Sequence, residues 1–352
     1  MKQLKAAVIG TGLIAGLKHI PAFKKHGGKV QLAALCDLNI EAARKLAAEH
    51  GIPHVYSNID EMLSKEEPDL VDICTPPKTH APIAIQCMRG GANVLIEKPM
   101  AQTLKECDDI IAASEANRVK VCLAHSDLFY YPFLEARKLV REGAIGAFRG
   151  MRIFLSTPTD YITSKSDHWA NKLPGGVIGE TGPHIVYMTL AFINPIREVT
   201  VDAMKLRNDY PWSPFEDYRI NLVGDKAMSS VTLNYGTNQW MARIEIMGEH
   251  AILLLDLEAM SLVQYRREAL KPVAIGTSLL SETGQLLKSL ATSGLRYVTK
   301  SLRTTHDFII DEFTDSIING TKSPVPAEDG RESVRVLGMI VESLNSSKAQ
   351  AV

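Results

Sequence analysis

No apolar stretch in this 352-residue chain approaches the roughly 20 residues that a membrane-crossing helix needs, so no membrane partner is expected. An excess of either charge is missing too. The 39 Lys and Arg residues meet 40 Asp and Glu, and neither half is basic enough to draw nucleic acid or an anionic lipid surface. Cysteine is sparse and odd in number: Cys36, Cys74, Cys87, Cys107 and Cys122 all precede residue 126. That count cannot form a complete disulfide framework, and no pair has metal-ligand spacing. Free buried thiols, a cytoplasmic setting and no metal are therefore expected. Met1-Lys2 before an apolar run looks like the start of a leader, but no convincing cleavage site follows and the run reads better as a first strand. Internal repeats and low-complexity tracts are also absent.

Hydrophobic content of 45% and charged content of 22% are those of a globular protein with a full core, and the length calls for two domains. Residues 4–125 alternate short apolar runs (Ala6–Ile9, Leu32–Cys36, Leu70–Thr75, Asn93–Ile96, Lys120–Ala124) with helical patterns near 13–25, 40–50, 59–64, 79–90 and 103–117. This is the alternation of βαβ units, and runs so rich in Val, Ile, Leu and Ala predict a parallel sheet buried on both faces. After a helix at 133–142 the pattern changes. Strand-like segments at 147–156, 196–208, 216–223, 227–235, 241–248 and 251–256 follow one another without helical crossovers. They predict an open, mostly antiparallel sheet in an α+β domain, with a helix around 183–193 packed on it. The predicted division is a Rossmann domain at 1–125 and a second domain at 126–352, whose final helices (306–319 and 331–344) pack back on the first. The leucine-rich stretch 277–302 reads as a helix lying against a neighbour.

Gly10-Thr11-Gly12-Leu13-Ile14-Ala15 sits behind the first strand and ahead of a helix. Glycines there permit a tight turn and a close backbone approach to a pyrophosphate, at a helix end whose N–H groups face the anion. Asp37 closes the second strand, where a carboxylate can hold a ribose 2′-OH and repel a 2′-phosphate. NAD is thus expected ahead of NADP. Lys98 stands between a buried strand and Pro99, where its backbone is restricted and ligands of open α/β sheets bind. A lysine there can stabilise charge on an alcohol becoming a carbonyl; by position alone, an ordinary solvated lysine is an equal reading. His184 follows Gly182-Pro183, and Pro183 suits a helix's first turn. Its imidazole could take a hydroxyl proton, with Glu180 orienting it or binding substrate, although a helix-start histidine is more often structural. Trp169, Asp167, His168 and Asn171 precede the glycine pair Gly175-Gly176 and would suit a sugar ring. Tyr161, Tyr130 and His125 are further candidates, while Trp212 and Trp240 read as packing or interface residues.

These motifs occur in an order that resembles the Gfo/Idh/MocA oxidoreductases, the glucose-fructose oxidoreductase and inositol dehydrogenase family. The resemblance is carried by Gly10 to Ala15, Asp37, Cys74-Thr75-Pro76-Pro77-Lys78-Thr79-His80, Gly91 through Glu97-Lys98-Pro99, Gly182-Pro183-His184, and Pro324 to Gly330. It implies a hydride-transferring dehydrogenase of a sugar, cyclitol or nucleotide sugar. In that reading Lys98, Glu180 and His184 are catalytic, and the cofactor is bound by Gly10, Thr11, Gly12, Leu13, Ile14, Asp37, Thr75, Pro76, Pro77, His80, Glu97 and Lys98. It also implies a homodimer or homotetramer. Two alternatives remain open: a redox-neutral NAD-using glycosidase or epimerase, and a regulatory protein that binds NAD or sugar without turnover. The sequence departs from the family in having Glu180 where aspartate is usual, Tyr187 where an acid follows the histidine by three residues, and no arginine in His125 to Tyr131. These departures bear on the substrate more than on the cofactor.

Overall fold

The computed structural model describes residues 3–158, 164–206, 209–299 and 303–350. Two compact units emerge, Met1–Ser126 with Arg303–Arg335, and Asp127–Leu302 with Val336–Val352. In the first, six parallel strands run β1 (Leu4–Ile9), β2 (Val30–Cys36), β3 (His54–Tyr56), β4 (Leu70–Ile73), β5 (Asn93–Ile96) and β6 (Val121–Leu123). Their spatial order is β3-β2-β1-β4-β5-β6, the doubly wound Rossmann order, so the strand sequence reverses direction between β1 and β4. All four residues of β4 are buried, as a strand covered on both faces requires. The sequence pattern did not announce β3, a three-residue edge strand with its side chains half-buried or exposed.

Local chemistry sets the crossovers. The helix after β1 begins with a widened turn, Ala15–His19, and continues as α1 (Ile20–Lys25). The Asn39 side chain caps α2 (Ile40–His50) by accepting from Ala42 N–H, and Gly51 at φ 64° ends it. Next come α3 (Ile59–Glu66), α4 (His80–Arg89) and α5 (Leu104–Asn117), the last opened by a Thr103–Glu106 capping box. All five cysteines are buried and unpaired.

In the second unit, α6 (Tyr131–Arg141) leads into β7 (Phe148–Ser156), and α7 (Val177–Leu190) into β8 (Ile196–Met204), β9 (Asp217–Gly224), β10 (Met228–Asn234), β11 (Met241–Gly248), β12 (Ile252–Asp256) and β13 (Ser261–Tyr265). The seven-stranded sheet has the order β13-β12-β11-β7-β10-β9-β8, antiparallel except where β10 pairs β7. Alternating burial along β9 and β10 gives it one packed face, which α7 meets through Thr189 and Ser229. The strand β13, missed from sequence, is the edge on which α8 (Pro272–Val298) rests, with Gln285 Oε1 accepting from Gln264 N–H at 2.8 Å. Among the described residues no helix is long and apolar enough to cross a membrane.

The chain returns to the first unit with α9 (Thr305–Asn319) and the start of α10 (Ala327–Gln350). Leu123 N–H of β6 donates to Val325 O at 2.9 Å, so the returning segment covers the edge strand. A Cβ on Gly330 would lie 2.7 Å from the Leu123 side chain, which explains a glycine there.

Candidate active site

The carboxyl ends of β1, β2, β4 and β5 carry the predicted cofactor residues, as the strand order demands. Gly10 follows β1 at φ 93°, and a Cβ on it would stand 2.7 Å from the Cys74 carbonyl carbon. Only glycine fits. Gly12 is the converse: exposed, with nothing within 4 Å of where its Cβ would be. Its backbone is therefore open to a close-approaching phosphate. Thr11 is half-buried, Leu13 exposed and Ile14 half-buried at the start of the helix. Asp37 Oδ2 accepts from Thr11 N–H at 2.7 Å and Thr11 Oγ1 at 2.9 Å, while Asn39 N–H donates to Oδ1 at 2.8 Å. The carboxylate is thus fixed beside the glycine turn. This arrangement fits a dinucleotide.

Beyond β4, Thr75 is half-buried, Pro76 exposed and Pro77 buried in a short turn, Pro77–Thr79. His80 opens α4. It is fully buried, with Nε2 2.7 Å from Thr75 O and Nδ1 2.9 Å from Pro99 O. Burial lowers its pKa, and the ring bridges the Thr75 and Pro99 loops. Lys98 is half-buried after β5, joined to Pro99 by a cis peptide bond.

Glu97 does not lie on the surface either. Its Oε1 is 2.8 Å from Nε2 of buried His19, whose Nδ1 is 2.7 Å from Oδ2 of buried Asp72. His306 of α9 brings Nε2 to 3.9 Å from the same Glu97 oxygen. Burial alone would lower the His19 pKa, yet the Asp72 charge raises it well above the ordinary value. Burial would raise Glu97, but the His19 and His306 contacts hold it well below. No pair of cysteines has metal-ligand spacing in the sequence, and the fold gathers ligand-type side chains from distant positions. His19, Glu97 and His306, and likewise His19, Asp72 and Cys74, present ligand atoms within 4.8 Å of one another. Both ring nitrogens of His19 face carboxylate oxygens, so this is an ion-pair chain with a charged imidazole at its centre.

In the second unit, Pro183 was expected in the first turn of its helix, but α7 begins six residues earlier and encloses it. Gly175 and Gly176, at φ 78° and 68°, turn the chain into α7 ahead of that point. His184 therefore projects from the middle of a mostly buried helix. Its Nδ1 lies 2.7 Å from Asp127 Oδ2 and 2.6 Å from the Tyr187 hydroxyl, which itself accepts from Asp127 N–H at 3.2 Å. Burial, then the Asp127 charge, push the Tyr187 phenol well above its ordinary pKa, so it stays protonated. The carboxylate on the imidazole is Asp127, a role the sequence reading offered to Glu180. Half-buried Glu180 lies in the first turn of α7. The histidine side chain remains about one quarter exposed (23%).

The other substrate candidates separate. Trp169 is 42% exposed at the head of the short turn Trp169–Lys172, its ring 5.4 Å from that of His168. The Asn171 amide donates to Lys165 O at 2.8 Å, which commits it to holding its own loop. His125 is buried just past β6, and Tyr130, ahead of α6, is half-buried. Tyr161 lies outside the described residues. Trp212 and Trp240 are both partly exposed.

A parallel doubly wound sheet with a glycine turn at β1 and an acid at β2 defines a dinucleotide-binding domain, here followed by a second domain with a mixed, mostly antiparallel sheet. Residues 4–125 match the sequence model described as "Oxidoreductase family, NAD-binding Rossmann fold", and residues 133–254 match the GFO/IDH/MocA C-terminal domain. The chain belongs to the Gfo/Idh/MocA oxidoreductases. Among curated proteins, scyllo-inositol 2-dehydrogenase (NADP(+)) IolU of Bacillus subtilis is 25% identical over 260 residues, 72% of this chain and 76% of that one. Among solved structures, the WlbA dehydrogenase of Bordetella pertussis, in complex with NADH and UDP-GlcNAcA, aligns at TM-score 0.79 and 19% identity, covering 98% and 96% of the two chains. An oxidoreductase domain protein from Kribbella flavida aligns at TM-score 0.81 and 22% identity, covering 99% and 98%. At these identities the structural likeness carries the fold alone.

Proposed function

We propose that the protein is an NAD-dependent dehydrogenase that interconverts a secondary alcohol and a ketone on a sugar, cyclitol or nucleotide sugar. The observation that carries this reading is the Asp127–His184 contact. A carboxylate 2.7 Å from Nδ1 assigns the ring proton to that nitrogen and leaves Nε2 to take a proton from a hydroxyl. Lys98 is assigned a charge-stabilising role toward the substrate. Glu180 is assigned to a neighbouring substrate hydroxyl, since Asp127 already serves the imidazole. The bound nicotinamide supplies the hydride acceptor or donor, while the protein supplies alignment and electrostatics. Gly10, Gly12 and Thr11 would hold the pyrophosphate of the dinucleotide and Asp37 its adenosine ribose, with Thr75 and Pro76 lining its path.

Asp37 favours NAD because a fixed carboxylate at the end of β2 repels a 2′-phosphate. The class of substrate is supported by the name of a curated relative, a cyclitol dehydrogenase. The test is absorbance at the reduced-nicotinamide band when the protein and NAD meet a panel of cyclitols, free sugars and nucleotide sugars. Net NADH formation with one class is expected. Product formation without any net change in that band would replace the reading by a redox-neutral one.

A further inference from the structure

A carboxylate in the middle of a buried strand is costly unless it is paired. Asp72 sits at the third position of β4, fully buried and beside Val8 of β1. Its Oδ2 lies against His19, and its Oδ1 is buried without a hydrogen-bond partner among the described residues, so His19 is the group that offsets this charge. His19 reaches it from the widened turn Ala15–His19, an irregularity of the kind that concentrates at functional sites. The line then continues. His19 Nε2 meets Glu97 Oε1 at 2.8 Å, and Glu97 Oε2 accepts the Lys98 backbone N–H at 3.0 Å. Each Glu97 oxygen has a separate task, one toward the core and one toward the backbone of Lys98.

We propose that Asp72, His19 and Glu97 form a buried positioning relay, closed by His306, that fixes the Lys98 backbone and so the reach of its ammonium group. The inference rests on the role given above to Lys98. A purely fold-holding ion pair would end among core side chains, whereas this one ends on the main chain at the tip of β5. It is assembled from four separate parts of the sequence: the helix after β1, strand β4, the end of β5, and α9, where the His306 ring packs edge-on against His19 with centroids 4.9 Å apart. Small displacements of a substrate-side group are expensive in rate, on the order of 100-fold for about 1 Å. The relay is therefore expected to act on turnover more than on cofactor binding.

Hydrogen exchange, read by mass spectrometry on the full chain, tests the relay without a substrate. In His19→Gln, exchange at the Lys98 amide should rise at least about tenfold, with peptides from β2 and α4 unchanged. Glu97→Gln provides a second route should His19→Gln fold poorly, since it keeps an acceptor for the amide but loses the charge pairing. Unchanged exchange at Lys98, or a rise spread evenly over the whole parallel sheet, would overturn the proposal. Turnover of scyllo-inositol, used as probe alcohol with NAD, adds a second readout: kcat should fall about 10- to 100-fold with the KM for NAD preserved. The loss should vanish when His19→Gln is added to Lys98→Met, whereas an independent packing role would subtract in both backgrounds. Near-parent turnover in Lys98→Met alone would sink the role of Lys98, while the exchange result would still decide whether the relay holds its backbone.

Discussion

Nδ1 of His184 and Oδ2 of Asp127 stand 2.7 Å apart, with the Tyr187 hydroxyl sharing the nitrogen at 2.6 Å. The pair sets the ring against a carboxylate, and the proposed function takes that ring as the proton acceptor. Asp127→Asn keeps the shape but can reverse the tautomer. Its kcat should fall about 100- to 10,000-fold, the range of general acid–base catalysis, with NAD affinity unchanged. Steady-state kinetics with separate NAD titration checks this, and a kcat within a few-fold of the parent would remove Asp127 from the mechanism.

Tyr187→Phe should be milder. It removes one neighbour of Nδ1 while the carboxylate stays, so a fall of roughly tenfold or less is expected, on the scale of one hydrogen bond. A loss as large as that of Asp127→Asn would mean that the phenol, not the carboxylate, holds the ring.

The two glycines of the first turn should respond oppositely. Gly10→Ala meets the Cys74 backbone at 2.7 Å and strains a φ of 93°, so the fold should lose at least about 1–3 kcal/mol, seen as a lower melting temperature. Gly12→Ala meets no protein atom and should melt with the parent. It should instead weaken NAD binding about tenfold or more, because its methyl group occupies the space assigned to the phosphate. Normal affinity in Gly12→Ala would displace the cofactor from this turn.

Asp37→Ser should shift preference toward NADP. Binding of NAD is expected to weaken about tenfold and that of NADP to improve, as measured by fluorescence titration. Tighter binding of NADP by the unaltered protein would refute the role given to Asp37.

The buried chain sets a pH dependence of stability. His19 is faced by Asp72, Cys74, Glu97 and His306, and Glu97 by His19, His306 and Lys98, with Lys18 near His306. The raised His19 pKa means that its contribution is complete below about 6.5 and is lost as pH rises through the folded value. The lowered Glu97 pKa means that its contribution is complete above about 4.5 and is lost as pH falls through the folded value. The melting difference between the parent and Glu97→Gln should therefore shrink in acid, and that between the parent and His19→Gln should shrink in alkali. Differences that do not change with pH would show that His19 and Glu97 are not a charged pair.

Much of this was legible in the sequence because the signals were local. Gly10, Asp37 and Lys98 announce themselves by standing at the ends of apolar runs, and the parallel sheet follows from those runs. The relay was not legible. His19 lies 53 residues from Asp72 and 78 from Glu97, so only the fold brings them together. One signal did exist: an aspartate inside Leu70-Val71-Asp72-Ile73 is out of place in a buried strand and calls for a partner. Asp127 was hidden differently, in a segment noted for its lack of arginine, where one more acid near a loop carries no distinguishing pattern. Pro183 misled because proline favours first turns, while Gly175 and Gly176 had already turned the chain into α7.

The central claim of the proposed function is that oxidation of the alcohol by NAD needs both Lys98 and His184. The most direct measurement is NADH formation by Lys98→Met, His184→Ala and the double variant on the alcohol that the parent oxidises. The account predicts that each single change lowers kcat at least about 100-fold with NAD affinity kept, and that the double variant is scarcely worse than the poorer single one. Near-parent turnover in either single variant, or losses that multiply in the double, would contradict it.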